Sequence, residues 1–578
     1  MLDFLAKLRD SKKDDEDALV AINEIENEIN EKKYGLVWEE HSEEVDEMMV
    51  DNVPILLENK SREIATAGDD SYNFLIEGDN LHSLKLLEKT HRERIDVIYI
   101  DPPYNTGKDS FEYDDKRVEA EDGYRHSKWL SFMKRRLSIA KDLLSNRGVI
   151  FISIDDNELA TLKLLCDSIF GDVNFVGNFI VENNPKGRKN GKFISVTSEY
   201  CLIYAKDFNA AEFRKTIPKE ASDMAEDENG NFVRKSGKRV LMGENSLNKR
   251  VTDFDSKKHY TAYIKGQSLI LKKETSINEK DEALLEDGYV RYITFLNDYF
   301  VENTYTEQKF TELFKNGALD IRKDKIYEKH FSDNKQIKGL LTNTSYDAIC
   351  DNKKIRYEMD LKTTSAKHAL QEMMGKDIFT FPKNVNFIKH LIDLNSNNDS
   401  IILDFFAGSG TTAQAVLELN KNDGGSRRFI LCTNNESKDG ELGICEGVTY
   451  PRIKTAITGI RPDGTKWSNG VPANLKYYKT DFVAKDSETL VEDLIAHTDE
   501  MIQLEYGIQI DKDKYISILT DEEADELFKD WNKYPNIKAI YVSRHVVLNA
   551  EQRKLFYTKD VYIIPDYYYR QELREVGE

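Results

Sequence analysis

At 578 residues, with 40 % hydrophobic and 32 % charged residues and a mean hydropathy of -0.60, the chain is too long for one core and too polar to live in a membrane; roughly three to five domains are expected. The 82 lysines and arginines against 104 acidic residues give a net charge of -22. That excludes a surface coated in positive charge, although a nucleic acid responds to local potential and not to the total. Five scattered cysteines without a C-x-x-C pair, and no histidine at ligand spacing, argue against a zinc site or a disulfide framework, so no metal is expected.

Taken in order, residues 1–60 read as a charged helical arm, most clearly from Ala18 to Glu31. Phe74-Leu75-Ile76 reads as a short buried strand ending at Gly78-Asp79, and Leu81, Leu84 and Leu87 mark one face of a following helix. A second strand, Ile95 to Ile100, stops at Asp101. Trp129, Phe132, Met133, Leu137, Ala140 and Leu144 then recur at helical spacing; Gly148 ends that helix, and Val149 to Ile154 forms another strand. Such alternation predicts a parallel α/β sheet with right-handed crossovers.

Between 208 and 360 the alternation is lost. Polar stretches there enclose short β-like runs, Tyr260 to Ile264 and Ser268 to Lys272. The texture resumes at Ile401 to Leu403 and Phe429 to Leu431, and strand runs at Tyr515 to Leu519, Ala539 to Val542 and Val561 to Ile564 predict a small terminal module. The fold class expected is therefore α/β: a Rossmann-like domain with a mixed, mostly parallel sheet, split over 61–207 and 361–450 by an insert at 208–360, with the helical arm at 1–60 and an α/β domain at 451–578. No signal peptide or membrane span is visible, which predicts a cytoplasmic protein.

Two strand ends carry chemistry. The first is Asp101-Pro102-Pro103-Tyr104. An exocyclic amino group such as N6 of adenine is a poor nucleophile, because its lone pair is delocalised into the ring. Methylating it calls for two acceptors for its N–H bonds, placed so that the nitrogen becomes tetrahedral as the lone pair turns to the methyl donor. Asp101 supplies a carboxylate and Pro102 a backbone carbonyl, the two prolines stiffen the loop, and Tyr104 offers a flat face for the base. A base in a duplex must flip out to reach such a pocket. Alone, the tetrapeptide is as readily a polar turn at a strand end.

The second strand end, Asp404 to Thr411, contains Gly408-Ser409-Gly410 and fits G-x-G-x-x-[GA] through Ala413. That turn lets backbone approach an adenosine-containing cofactor. A dinucleotide dehydrogenase is the competing reading. Against it, the next strand ends at Thr433-Asn434-Asn435, with Glu436 late for a ribose contact, and a dehydrogenase has no use for Asp-Pro-Pro-Tyr. Asp404 stands where it would hold the ammonium group of a methionine-derived donor.

With both motifs in place, the chain resembles DNA N6-adenine methyltransferases of the permuted, β-type arrangement, in which the catalytic tetrad precedes the cofactor glycines and a target-recognition domain lies between. It is most similar to the modification subunits of type III restriction–modification systems. The stretches that carry this are Asn73 to Leu87, Tyr99 to Gly107, Trp129 to Glu158, Glu199 to Lys206, Phe379 to Lys383 and Asn474 to Val483. The likeness implies S-adenosylmethionine as cofactor, with Asp79 contacting its adenine, Phe379, Pro382 and Lys383 near its methionine end, and Phe406, Gly408, Gly410 and Thr411 along the turn. The ribose acid departs from the family pattern: Thr433 stands at the usual position, so the role falls to Glu436. The resemblance further implies double-stranded DNA as substrate, a homodimer and an ATP-dependent restriction partner.

Basic residues gather beside and inside the insert, at Lys186, Arg188, Lys189 and Lys192 and at Arg234, Lys235, Lys238, Arg239, Lys249 and Arg250. A solvated face is the usual fate of such runs, but in an acidic chain their concentration points to phosphate contacts. The predicted reaction is direct in-line methyl transfer to N6 of a flipped adenine, with no covalent intermediate. The alternatives are a cytosine-N4 methyltransferase (more often with Ser at the position of Asp101), an RNA methyltransferase, and a specificity subunit that guides a nuclease without catalysis of its own.

Overall fold

The structure, a computed structural model, describes residues 9, 38–106, 112–113, 116–117, 124–187, 193–226, 230, 232–234, 239–241, 249–296, 298–323, 325–329, 334–435, 442–565 and 568–569. The Ala18 to Glu31 part of the predicted arm lies outside them. The chain divides into two compact units, one of Met1–Arg214, Lys338–Asn343 and Met359–Glu578, the other of Lys215–Ile337 and Thr344–Glu358.

The first unit is built on an 11-stranded sheet. Its strands are β1 (Asn52–Glu58), β2 (Tyr72–Glu77), β3 (Ile95–Ile100), β4 (Leu144–Ile154), β5 (Phe175–Val181), β6 (Glu199–Ala205), β7 (Leu340–Leu341), β8 (Ile401–Asp404), β9 (Arg428–Thr433) and β10 (Asn474–Ala484). The helices that matter for the site are α1 (Asn80–Thr90), α2 (Arg125–Leu143), α3 (Leu159–Phe170), α4 (Thr411–Asp423) and α5 (Tyr450–Thr458). The strand order is β1-β10-β2-β9-β8-β3-β4-β6-β5-β7, with the short strand Ile64–Ala65 attached to β10. From β10 to β4 every pairing is parallel. β6 runs antiparallel to both β4 and β5.

Strand order places the site. β3 leads through α2 to β4 on one side, whereas β8 leads through α4 to β9 on the other, so the chain leaves the β3–β8 seam in opposite directions. Ile402 pairs with Val97 and Leu403 with Ile98, although these strands lie roughly 300 residues apart. Open α/β sheets bind ligands beyond the carboxyl ends of the strands at such a reversal. The central strands are apolar on both faces because helices cover both, which explains their unbroken hydrophobic runs.

Four boundaries differ from the sequence reading. The α2 helix ends at Leu143, and Leu144 already belongs to β4. Gly148 sits inside that strand, where an added Cβ would come within 2.8 Å of the Ile95 carbonyl oxygen; it serves close strand approach, not helix termination. The predicted helical arm contains strand β1, and Asn474–Ala484, placed in the terminal module, forms strand β10 of the large sheet. The compact second unit begins at 215, not 208, and ends at 358. Within that span residues 338–343 return to the first unit, where β7 pairs with β5.

The second unit consists of short antiparallel strands, such as Thr261–Lys265 between Ser268–Lys272 and Val290–Tyr292. Tyr260, Ala262, Ile264, Tyr292, Phe310 and Ile326 form a core of its own. Near the C-terminus a three-stranded parallel sheet, Tyr515–Ile518, Ala539–Ser543 and Asp560–Ile564, packs against helices Asp521–Lys529 and Ala550–Phe556.

Candidate active site

Asp101 is the first residue beyond β3, and its loop is fastened from beneath. The indole N–H of Trp129, buried on α2, donates to the Pro103 carbonyl at 2.7 Å. The prolines bring no N–H of their own, so that contact and the side chains of Tyr104 and Asn105 hold the loop. Asn105 takes a left-handed φ of +53° and is fully buried. Its amide donates to the Glu158 carboxylate at 2.5 Å and to the Arg125 carbonyl at 3.2 Å. Glu158, also fully buried, lies 2.5 Å from His126 Nδ1 and accepts the Thr161 hydroxyl as well.

Above this base lies a charged cluster. The Tyr104 hydroxyl donates to Asp101 Oδ1 at 2.8 Å. The Lys383 ammonium donates to the Tyr104 oxygen at 2.6 Å and to both oxygens of Glu199 at 2.9 Å, and lies 3.2 Å from Asp101 Oδ1. Its Nζ sits 5.0 Å from the Tyr104 ring centroid, so the ring expected to face a base has a cation beside it. Burial raises the Asp101 carboxyl above its ordinary range, Lys383 opposes this, and Glu199 adds to it. Burial also works against the Lys383 charge, but Asp101 and Glu199 outweigh it and hold the ammonium above the usual lysine value.

The second motif is held differently. Asp404 is 2 % exposed. Its Oδ1 accepts the Phe406 backbone N–H at 3.0 Å and its Oδ2 the Thr412 hydroxyl at 2.5 Å. Burial lifts its carboxyl to about 7, against the pull of those two hydrogen bonds and with a smaller push from Asp101. Gly408 and Gly410 have φ of +47° and +75°; a Cβ on Gly410 would meet Thr449 Cγ2 at 3.2 Å, and one on Gly408 would meet Phe379 Cζ at 3.8 Å. Arg452 on α5, 2 % exposed, donates to Ser409 Oγ at 2.9 Å and Thr411 Oγ1 at 2.8 Å, and Thr449 donates to the Gly408 carbonyl at 2.5 Å. Burial lowers the Arg452 guanidinium to about 9. The turn therefore opens directly on the N-terminus of α4, whose first N–H groups suit an anion or a carboxylate.

The remaining candidates fall as follows. Asp79 caps α1, accepting the Leu81 N–H at 2.6 Å, and pairs with buried Arg136 at 3.4 Å; its carboxylate stays 40 % exposed. Phe406 is half-buried against Phe132, ring centroids 5.8 Å apart. Phe379 lies over Gly408, and Pro382 is buried. Lys383 directs its ammonium into the Asp101–Tyr104 cluster, while its carbonyl accepts the Thr411 hydroxyl at 3.5 Å. Lys186, Lys249 and Arg250 are exposed, and Arg250 lies over the Tyr299 ring at 5.0 Å. Arg234 and Arg239 fall in the short strands Phe232–Arg234 and Arg239–Leu241. Arg188, Lys189, Lys192, Lys235, Lys238 and Glu436 lie outside the described residues.

Three residues escaped the motif reading: Glu158, Glu199 and Arg452. The signal for Glu199 is a carboxylate opening the otherwise apolar run Glu199 to Ala205, a position with no solvation of its own in a buried strand.

A family model described as DNA methylase, of the N6/N4 methyltransferase kind, matches residues 95–438. The Mod subunit of the type III restriction-modification enzyme EcoPI from Escherichia phage P1 is 31 % identical over 558 residues, covering 90 % of this chain and 80 % of its own. The StyLTI Mod subunit of Salmonella typhimurium is 30 % identical, over 76 % of this chain and 64 % of its own. The type II methyltransferase M.KpnI of Klebsiella pneumoniae is 32 % identical, over 64 % and 82 %. Solved structures overlap more loosely: the cytosine-N4-specific PvuII DNA methyltransferase aligns at a TM-score of 0.31 and 11 % identity, over 67 % of this chain and 95 % of its own.

Proposed function

Since the chain belongs to the N6/N4 family of DNA methylases, and is thus a DNA methyltransferase of a restriction–modification system that draws on S-adenosylmethionine, we propose that its acceptor is N6 of an adenine flipped out of duplex DNA. The observation that supports this most is the parallel pairing of β3 and β8, which brings the Asp101 loop and the Gly408 turn to the same sheet edge, where Lys383 contacts Tyr104 of the one and Thr411 beside the other.

The residues present fit the cofactor. Two glycines leave room where side chains would stand, and a buried carboxyl at about 7 gains from a cation brought beside it. Gly408, Gly410, Thr411 and Phe379 would line the donor, Asp404 would face its ammonium, and Asp79 and Phe406 would border its adenine. Bound there, the sulfonium supplies an already activated methyl group. The chain's own task is then to hold the amine. Asp101 and the Pro102 carbonyl accept its two N–H bonds, Asp101 takes the proton that leaves after transfer, and the Trp129 and Asn105 contacts beneath the loop keep these acceptors preset. Aspartate at 101, rather than serine, favours adenine over cytosine.

The exposed cations Lys186, Lys249 and Arg250 are read as phosphate contacts. The names of the type III relatives support a modification subunit of such a system; that it acts in the cytoplasm as a homodimer with an ATP-dependent restriction subunit belongs to the same proposal, and among the described residues no helix is long and apolar enough to cross a membrane. The test is transfer of labelled methyl to duplex DNA by the chain alone, followed by nucleoside analysis. N6-methyladenine is the expected product. N4-methylcytosine would move the acceptor to the other base, preference for RNA in competition would change the substrate, and no label at all would leave a specificity subunit.

A further inference from the structure

Glu199 belongs to neither motif, yet it is the most heavily engaged carboxylate beside Asp101. It reaches the site because β6 runs antiparallel to β4: Tyr200 pairs with Ile154, so the residue opening β6 arrives at the edge where the parallel strands end. Glu199 is 5 % exposed and accepts the Lys383 ammonium on both oxygens.

An ammonium has three protons to give, and the Tyr104 oxygen takes one of them. With its oxygen so occupied, the Tyr104 hydroxyl sends its own proton to Asp101 Oδ1 at 2.8 Å, the contact to Glu199 at 3.3 Å being the longer. Both the tyrosine and the lysine therefore lie on Oδ1 of Asp101. A lysine this deep requires a carboxylate partner. Without Glu199, Asp101 would be the one left within contact, and the cation would compete with the substrate amine for it.

Resting on the reading of Asp101 as the amine acceptor, we propose that Glu199 is a positioning residue: it draws the Lys383 ammonium aside and so keeps one oxygen of Asp101 open to the N–H of the target base. The charged and titratable groups facing Asp101 are Lys383, Glu199 and Cys201 from β6, Tyr104 from its own loop, Tyr99 from β3 and Asp404 from β8. Among them Glu199 is a negative neighbour that raises Asp101, so its removal lowers the pH at which Asp101 ionises.

The experiment compares Glu199→Gln, Glu199→Asp, Lys383→Gln and the double variant Glu199→Gln/Lys383→Gln, with Asp101→Ala alongside, on the full chain with duplex DNA and S-adenosylmethionine. Glu199→Gln is expected to lose about 10²-fold in kcat, to shift the acid limb of the kcat profile to lower pH, and to keep its donor affinity. Glu199→Asp, which retains the charge, should keep the acid limb in place and lose less. The decisive readout is the cycle: once Lys383 has lost its charge, removing Glu199 should cost little more. If the two losses multiply, or the acid limb of Glu199→Gln stays where it was, the proposal is wrong. Should Glu199→Gln fail to fold, as judged by melting, a Glu199→Asp profile displaced from wild type would overturn it equally. Near-normal turnover by Asp101→Ala would instead sink the reading of the reaction, whatever Glu199 does.

Discussion

The ends of β3 and β8 lie side by side at one seam yet are built on opposite principles. At β3 the shape is held by charge: Asp101, Lys383, Glu199 and Tyr104 define one another through short polar contacts. At β8 the shape is held by backbone, with two left-handed glycines, a buried capping carboxylate and an arginine clamped onto the turn. A surface that must grip a neutral amine needs tunable acceptors. One that must admit a bulky adenosine group needs space and exposed N–H donors. Substitutions on the two sides should therefore fail in different currencies, the first in rate and the second in affinity.

The sharpest break is Asp101→Ala, which should cost on the order of 10²–10³ in kcat while calorimetric binding of S-adenosylmethionine stays close to normal. Equal losses of rate and donor affinity would erase the division between the two sides. Next comes Arg452→Met. Leaving the Ser409 and Thr411 oxygens short of a donor should weaken cofactor binding by about tenfold and lower unfolding stability by about 1–3 kcal/mol, with kcat at saturating donor little changed. Tyr104→Phe removes only a hydroxyl; a kcat loss of about tenfold, corresponding to a hydrogen bond of about 1.5 kcal/mol, with unchanged donor affinity would again keep the effect on the rate side.

The smallest effect concerns acidity on the affinity side. Asp404 titrates at about 7 in the fold against 3.8 ordinarily. Because burial raises an acid, the folded state binds the extra proton, and its stability falls as pH rises from near 4 through 7. Asp404→Asn should therefore raise the melting temperature of the ligand-free protein more at pH 8 than at pH 5. The ionised carboxylate also suits a cationic donor. Wild-type affinity for S-adenosylmethionine should tighten between pH 6 and pH 8, and the asparagine variant should lose that dependence.

Much of this was legible because strands β3 and β8 announce themselves locally. An apolar run followed by Asp-Pro-Pro-Tyr, and another followed by a glycine turn, need no partner to be recognised. What stayed hidden is what depends on partner choice. Strands β1 and β10 read as parts of other domains, because which strands pair is decided by contacts across hundreds of residues. Gly148 looked like a helix stop until the nearness of Ile95 gave it another reason. Glu199, Glu158 and Arg452 belong to neither motif, and only the third dimension shows what each one satisfies. Asp79 combined two roles in one side chain, a helix cap that still keeps part of its carboxylate open.

The placement of β10 has a practical consequence. Because Asn474–Ala484 lies between β1 and β2, a chain cut after residue 460 would retain both motifs and Arg452 but strip the flank of β2, and β1 would lose the one strand it pairs with among the described residues. The bare N–H and C=O groups of β2 would then invite pairing with other chains. Such a fragment should precipitate rather than methylate, so the smallest workable enzyme extends well past the last residue that touches chemistry.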